Sequence, residues 1–424
     1  MVSTAVYPAG AAPIAHDTSN DWLPTQSDRT SLFASPQHSL LAYGQALVLQ
    51  THNQHQQLCA QSQALLQQAQ TQALPPVLMG MLPFNVNHDS YLFVPQRLHM
   101  RGPLSSNEGI NTTASFAQSD ALASSSARAS VSGPTQLRPE PTAAEFETLV
   151  ASALPHLNDN PLSKIVLART LCAQLAQPLA RQQLWDQLLQ LNPQGYNFLM
   201  NMADHQHDNP CFFGASPELL VRRMGAQVSV NPLAGTAARH PDGGATDQAV
   251  GQALLNSPKD RHEHAIVIES VVAALQPFCE TLQVPDGPSL ATTATLWHLS
   301  TPITGTLKAP YASSLELALA MHPTPAVCGA PMLAARDYIE ATEPFAREFF
   351  TGAVGWNNLD GDGEWAVAIR CGHYQPGHIR LYAGAGIVAE SDPTSERIET
   401  GNKLRTMLNA LGCAPSEIEQ SILE

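Results

Sequence analysis

The stretch SPKDRHEHAIVIESVV, residues 257–272, crowds Lys259, Asp260, Arg261, His262, Glu263, His264 and Glu269 onto one apolar-periodic segment. His262 and His264 resemble a metal-ligand pair, but on a helix turning about 100° per residue they point roughly 200° apart and cannot close on one ion. Helical zinc sites use His at i and i+4, a spacing this stretch lacks. Glu263 shares a side with Ile266, Val267, Ser270 and Ala274. If that side faces inward, the carboxylate must be paired, hydrogen-bonded or metal-bound. If it faces outward, Glu263 only complements the helix dipole in an exposed first turn. Both readings stand at this point.

Four further stretches could carry chemistry. Lys164 in PLSKIVLAR is embedded in a short apolar strand and shares a face with Val166 and Ala168. Desolvation there would lower the ammonium pKa and make it a base, whereas on a sheet edge it would guard against aggregation. Glu218 follows a Ser-Pro turn in GASPELLVRR, where a carboxyl entering a buried strand can serve as an acid. In GEWAVAIRCG, Trp365, Val367, Ile369 and Cys371 fall on one face of a strand and Ala366, Ala368 and Arg370 on the other. Small residues around the guanidinium leave room for a carboxylate to be gripped by two parallel bonds. Glu396, Glu399 and Lys403 line one face of a C-terminal helix together with Met407. The preceding Gly384-Ala-Gly386-Ile-Val-Ala389 fits a dinucleotide-binding pattern, but Asp392-Pro393 interrupts the chain before any helix begins. Three glutamates, two lysines and an arginine suit a Mg²⁺ site for an oxygen-rich anionic substrate.

The elements that must position these groups read as α+β. Strand patterns at KIVLAR, ELLVRR, QVSVNPL, EWAVAIRC and IRLYAGAGI alternate with helical patterns at residues 248–278, 313–321 and 396–411. Strands close together near the C-terminus favour antiparallel pairing over a doubly wound sheet. Upstream, residues 45–72 are Gln-rich with Leu and Ala at helical spacing, and residues 77–84 read as a strand. Residues 1–20 read as a loose tail, residues 21–102 as the N-terminal part of one domain, and residues 103–141 as a Ser/Ala-rich linker. Ordered structure is expected to resume at residue 142, where Thr142-Ala-Ala-Glu145 forms a capping box, and to continue to residue 424.

With 44% hydrophobic and 13% charged residues over 424 positions, the chain can bury a large core. A net charge of -15 argues against a nucleic-acid or basic membrane-binding surface. No apolar run is long enough to span a bilayer, and the first residues lack a signal-peptide pattern, so a cytoplasmic enzyme is expected. Cys59, Cys172, Cys211, Cys279, Cys328, Cys371 and Cys413 are scattered, with no C-x-x-C, and read as reduced thiols.

Taken in order, LSKIVLAR, YNF, GASPELL, PLAGT, KDRHEH, TATLWHLSTPI, HPTPAVCG, EPFAREFF, GAVGW, GEWAVAIRC, RLYAGAGIV and ETGNKLRTMLN resemble the enterobactin-type isochorismate synthases of the chorismate-utilising family, from about residue 142 to residue 411. The resemblance implies two stacked, mainly antiparallel sheets flanked by helices, with the active site between them. It implies Lys164 as the base that activates water and Glu218 as the acid that protonates the leaving hydroxyl. Glu263 and Glu399 are implied as Mg²⁺ ligands, with Glu396 acting through water, and the histidines beside Glu263 as bystanders. Gly235, Thr236, His298, Ala326, Val327, Phe350, Arg370, Gly384 and Lys403 are implied to form the substrate pocket. The implied reaction converts chorismate to isochorismate for catechol siderophores by water attack at C2 and loss of the C4 hydroxyl. Salicylate synthases share Lys164 and stand as the alternative; Val327, where similar enzymes carry Leu, loosens the pocket in a way that could admit some pyruvate elimination; a catalytically dead binding protein is a third reading. Because ammonia-using members lack the lysine, no glutamine amidotransferase subunit is expected, and the chain is expected to act as a monomer.

Overall fold

Strong β-formers recur at five- to eleven-residue intervals, and every strand pair they form among the described residues is antiparallel. The computed structural model describes residues 29–52, 55–103, 134, 136–158, 162–202 and 209–423. One sheet of ten strands runs from Gly329–Ala330 through Lys164–Gln174, His378–Ile387, Cys371–Gln375, Cys211–Ser216 and Tyr196–Asn201 to the N-terminal strands Thr30–Ala34, Ser39–Tyr43 and Arg97–Arg101. A second sheet of nine strands has Leu219–Met224, Gly363–Val367, Ala353–Asn358 and Val77–Leu82 at its centre. A smaller sheet joins Leu233–Ala238, Leu296–Ser300 and Ser289–Thr292.

The large sheets stack through Phe33, Phe198, Phe212 and Tyr382 of the first and Met79, Phe93, Val354 and Trp356 of the second, all buried in one cluster. Helices Arg181–Leu191 and Pro393–Ala410 cover the outer face of the first sheet through Leu184, Trp185, Leu188, Leu404, Met407 and Leu408. Helices His55–Thr71, Pro258–Leu275 and Ser314–Met321 cover the second through Leu58, Leu66, Val267, Val271, Leu315 and Leu319. The expected α+β architecture of two stacked antiparallel sheets is therefore present.

Several boundaries differ from the sequence reading. Residues 45–72 are not one helical stretch: the strand Leu47–His52 precedes the helix His55–Thr71 and pairs with Asp89–Val94. Order resumes before residue 142, because Gln136–Glu140 forms a strand against the far half of Lys164–Gln174. Residues 1–20 and most of residues 103–141 lie outside the described residues. The capping box is made: the Thr142 N–H donates to Glu145 Oε2 at 2.9 Å, and the Glu145 N–H donates back to Thr142 Oγ1 at 3.4 Å. The helical region at 248–278 splits into Gly244–Asn256 and Pro258–Leu275, since Ser257 caps the second helix and Pro258 occupies its first turn. QVSVNPL divides at Pro232, which cannot donate to a ladder, and the chain passes from the second sheet into the small one. GEWAVAIRC is not one strand either; residues 368–370 carry the chain from the second sheet to the first. Cys371 consequently packs with Ala366 and Ala368 between the sheets rather than with Trp365 and Val367.

Glycine is dictated by crowding at the middle of the second sheet, where Gly80 and Gly355 face each other in register. A Cβ on Gly355 would lie 2.0 Å from the Glu364 carbonyl oxygen, and one on Gly80 would lie 2.1 Å from that of Tyr91. Neither oxygen can move without breaking a ladder bond. Gly355→Ala should therefore lower the unfolding free energy by about 1–3 kcal/mol, the usual cost of overpacking, read from the midpoint shift in urea.

Candidate active site

Two of the chemistry-bearing residues sit where the chain leaves one large sheet for the other. Pro217 and Glu218 link Cys211–Ser216 of the first sheet to Leu219–Met224 of the second, and residues 368–370 make the return passage. The two passages are stitched together: the Ala215 N–H donates to the Arg370 carbonyl at 2.9 Å, and the Val367 N–H to the Glu218 carbonyl at 3.1 Å. Arg370 adopts φ 48°, in the left-handed region that non-glycine residues seldom occupy. The third passage, at Pro232, contributes the Leu233 N–H to Glu218 Oε1 at 3.3 Å. Alternation along a strand could not reveal this arrangement, because the residues concerned are not in strands.

Around these passages lies a narrow cleft. Its wall includes Glu218, Glu263, Glu399, Lys403, Arg370 and His298. Gly235, Thr236, Ala326, Val327, Phe350 and Gly384 complete the set expected from the sequence. Lys164 is completely buried, with its Nζ 2.9 Å from Glu263 Oε1. The edge-guard reading of this lysine is thereby excluded, but the lysine also has an anionic partner that the expectation of an unpaired, desolvated amine did not include. Gly386 makes the pair possible: a Cβ there would lie 2.3 Å from Glu263 Oε1 and 2.9 Å from Lys164 Cε. The dinucleotide reading fails, because Gly384 and Gly386 lie inside the strand His378–Ile387 and pair with Ala168 and Val166.

Burial dominates the electrostatics. It pushes the Glu218 carboxyl up to about 7, against the opposing pull of the Leu233 N–H and of Lys164, Arg370 and Lys403. Burial also pushes Glu263 up, but Lys164 outweighs it with help from Lys403 and Lys259, and the carboxyl ends below its ordinary value. Arg370 is lowered by burial to about 10 and stays a guanidinium at neutrality, with Glu399 and Glu218 opposing the shift. His298 falls well below its ordinary value through burial and the charges of Arg370 and Lys403, so it is neutral. Among the described residues that line the cleft, Arg370 Nη2 and His298 Nε2 are buried without a partner, while His298 Nδ1 meets Thr236 Oγ1 at 3.0 Å. A buried guanidinium N–H left unsatisfied in a cleft is a position where a ligand oxygen binds.

Each of the three candidate metal-binding carboxylates holds a lysine: Glu263 with Lys164, Glu399 with Lys403 at 2.6 Å, and Glu396 with Lys259 at 2.7 Å. Glu399–Lys403 is thus a real pair, but it faces the cleft rather than open solvent, and Lys403 also donates to the Gly384 carbonyl at 2.8 Å. Glu396 is buried beside Lys259 and is not part of the cleft wall. Among the described residues, no three His, Cys, Asp or Glu side chains gather closely enough to form a metal site. The donor type fits the magnesium that the family resemblance implies, since Glu263 and Glu399 bring carboxylate oxygens to the cleft wall; the ion would have to share them with, or take them from, Lys164 and Lys403.

A family model described as "Chorismate binding enzyme" matches residues 25–412. The chain belongs to the chorismate binding enzyme family. It is 42% identical over 386 residues to isochorismate synthase DhbC of Bacillus subtilis, covering 89% of this chain and 92% of that protein. It is 36% identical over 397 residues to the vibriobactin-specific isochorismate synthase of Vibrio cholerae, covering 93% and 94%. The crystal structure of DhbC from Bacillus anthracis superposes with a TM-score of 0.81 at 41% identity, covering 92% of this chain and 97% of that one.

Within this chorismate-binding chain, one expectation about the KDRHEH segment needs correction. His262 is exposed, but His264 is buried: its Nδ1–H donates to the Ala234 carbonyl at 3.1 Å, and its Nε2 meets Thr301 Oγ1 at 2.7 Å. The carbonyl contact requires an N–H at Nδ1. His264 is therefore no bystander; it ties the Glu263 helix to the Ala234-Gly235-Thr236 wall. The inward face of that helix is Glu263, His264, Val267, Val271 and Leu275, whereas Ser270 is exposed. The apolar spacing Val267, Val271, Leu275 was a usable signal for this face. Among the described residues, no helix is long and apolar enough to cross a membrane.

The raised Glu218 value has a consequence for stability. The folded protein keeps a proton that the unfolded chain releases near 4.5, so stability falls as pH rises from about 4.5 to about 7 and then levels. Glu218→Gln should remove this slope, making the variant gain on the wild type across that window in urea unfolding at pH 5 and pH 8. An unchanged difference between the two pH values would place the Glu218 carboxyl at its ordinary value.

Proposed function

We propose that the protein is a magnesium-dependent isochorismate synthase that isomerises chorismate by adding water at C2 and releasing the C4 hydroxyl. The observation that carries the reading is a buried, proton-retaining carboxyl on the cleft wall together with a fully buried lysine that lies behind the wall and is paired with Glu263. Lys164 takes a proton from the attacking water, the ring double bond shifts, and Glu218 gives its proton to the departing C4 oxygen, so that water is consumed and regenerated. A carboxyl poised near 7 is matched to such a donor at neutral pH.

The substrate is a dianion, and the cleft meets it with cations despite the chain's net charge of -15. Arg370 Nη2, Lys403 and His298 Nε2 supply donors for carboxylate and enol-ether oxygens. Thr236 and Gly235 hold the histidine side of the cleft, while Ala326, Val327, Phe350 and Gly384 shape the space around the ring. Glu263 and Glu399 would hold Mg²⁺, with Glu396 acting through water. When bound, the ion would offset the ring carboxylate's charge and help orient it. The names of the Vibrio cholerae relative, specific for vibriobactin, and of the Bacillus anthracis structure, specific for 2,3-dihydroxybenzoate, support a product destined for a catechol siderophore.

Incubation with chorismate and Mg²⁺ followed by product separation should yield isochorismate. Salicylate with pyruvate would assign the chain to salicylate synthesis instead, and absence of turnover would overturn the enzymatic reading.

The pH dependence tests the roles. Because Glu218 must be protonated to act, wild-type kcat/KM should decline as pH rises through about 7. Lys164→Ala and Lys164→Arg should each lose about two to four orders of magnitude in rate, since a guanidinium does not deprotonate in this range. Turnover by Lys164→Arg near that of the wild type would show that the residue supplies charge alone.

A further inference from the structure

The segment EPFAREFF, residues 343–350, contains a buried pair, Glu343 and Arg347, that does not itself line the cleft. Arg347 and Glu343 expose 3% and 1% of their side chains. Arg347 makes five hydrogen bonds, as many as a guanidinium has N–H groups. Nε donates to Glu343 Oε2 at 2.7 Å and Nη2 to Glu343 Oε1 at 2.5 Å. The remaining donors go to the Val166 carbonyl at 2.6 Å, the Val327 carbonyl at 3.0 Å and Thr351 Oγ1 at 3.3 Å. Glu343 Oε1 in turn accepts the Ala168 N–H at 2.8 Å.

Those acceptors have something in common. Val166, Val327 and Thr351 all line the cleft, on three segments far apart in sequence. Val166 is two residues from Lys164 on the same strand, and its N–H donates to the Cys328 carbonyl at 2.8 Å. The Phe84 and Phe350 rings lie 4.5 and 5.6 Å from the guanidinium carbon and shield the pair. We infer that Arg347, held by Glu343, is the positioning residue of the reaction: it locks the lysine strand, the Ala326-Val327 loop and the Phe350-Thr351 turn at one mutual distance, and so sets where Lys164 stands relative to the bound ring. Lysine cannot replace it, because a single ammonium cannot span a carboxylate and three acceptors on separate segments.

This inference rests on the proposed reaction, so the test includes a readout independent of turnover. Arg347→Lys, Arg347→Ala and Glu343→Gln are prepared in the full chain, and folding is checked by circular dichroism and calorimetry. Displacing a catalytic group by about 1 Å costs on the order of 100-fold, so folded Arg347→Lys should lose roughly that factor in kcat/KM, with kcat falling and KM rising. Hydrogen exchange should accelerate at the Val166 and Ala168 amides in each folded variant. Arg347 also borders an outer groove with Phe84, Ile339 and Phe345, which gives a small cation access, so added methylguanidinium should restore part of the Arg347→Ala rate. Should Arg347→Ala not fold, Arg347→Lys, which keeps a cation beside Glu343, carries the measurement. Unchanged kcat, KM and exchange in a folded variant would overturn the inference, as would a lower melting temperature with wild-type kcat and KM. If the wild type does not turn over chorismate, accelerated exchange in the variants upholds the clamp and the proposed reaction alone fails.

Discussion

Burying Lys164 requires Glu263, and much of the architecture follows from that requirement. A lysine Nζ with no exposed surface needs a carboxyl group beside it, and removing one member of such a buried pair typically costs about 3–5 kcal/mol. The carboxylate must arrive from a different element, so the helix Pro258–Leu275 has to dock with Glu263 over the start of the strand Lys164–Gln174. Val267, Val271 and Leu275 supply the apolar side of that docking. His264 fastens the same helix to the Ala234 carbonyl, and Gly386 leaves out the side chain that would otherwise occupy the carboxylate's place.

The same logic is repeated at the mouth of the cleft. Lys403 pairs with Glu399 within the helix Pro393–Ala410 and donates to the Gly384 carbonyl, while Lys259, reaching across from the Glu263 helix, pairs with Glu396 and joins the two helices. A chain with a strong negative balance thus gathers its positive charge where an anionic substrate would enter. Glu218 is the exception. It is buried without an ion-pair partner, and the desolvation that would destabilise a carboxylate instead keeps its proton.

The passages between the sheets explain how such different environments lie side by side. Glu218 and Arg370 occupy adjacent crossings and share backbone hydrogen bonds, so neither can shift without the other. The left-handed backbone at Arg370 is held by this stitching and leaves Nη2 without a protein partner. Behind them, the Glu343–Arg347 pair joins three segments of the wall from the side away from the substrate.

The sequence by itself determined the chemistry available. Apolar surroundings marked Lys164 for burial, helical spacing put Glu396, Glu399 and Lys403 on one face, and alternation with close strand spacing indicated an antiparallel α+β fold. The matched segments extended these signals to the pocket residues Gly235, Thr236, His298, Ala326, Val327, Phe350 and Gly384. Tertiary structure alone decided the partners. Partners drawn from separate elements carry no periodic signal of one another, so the Lys164–Glu263 pair, the burial of His264 and the reach of Arg347 were illegible in the chain. Sheet crossings were equally hidden: GEWAVAIRC alternates like a single strand, and only the stacking of two sheets ends it at Val367 and turns Arg370 into the cleft. Periodicity reports which face a residue occupies, whereas the charge and position of its neighbours depend on contacts distant in sequence.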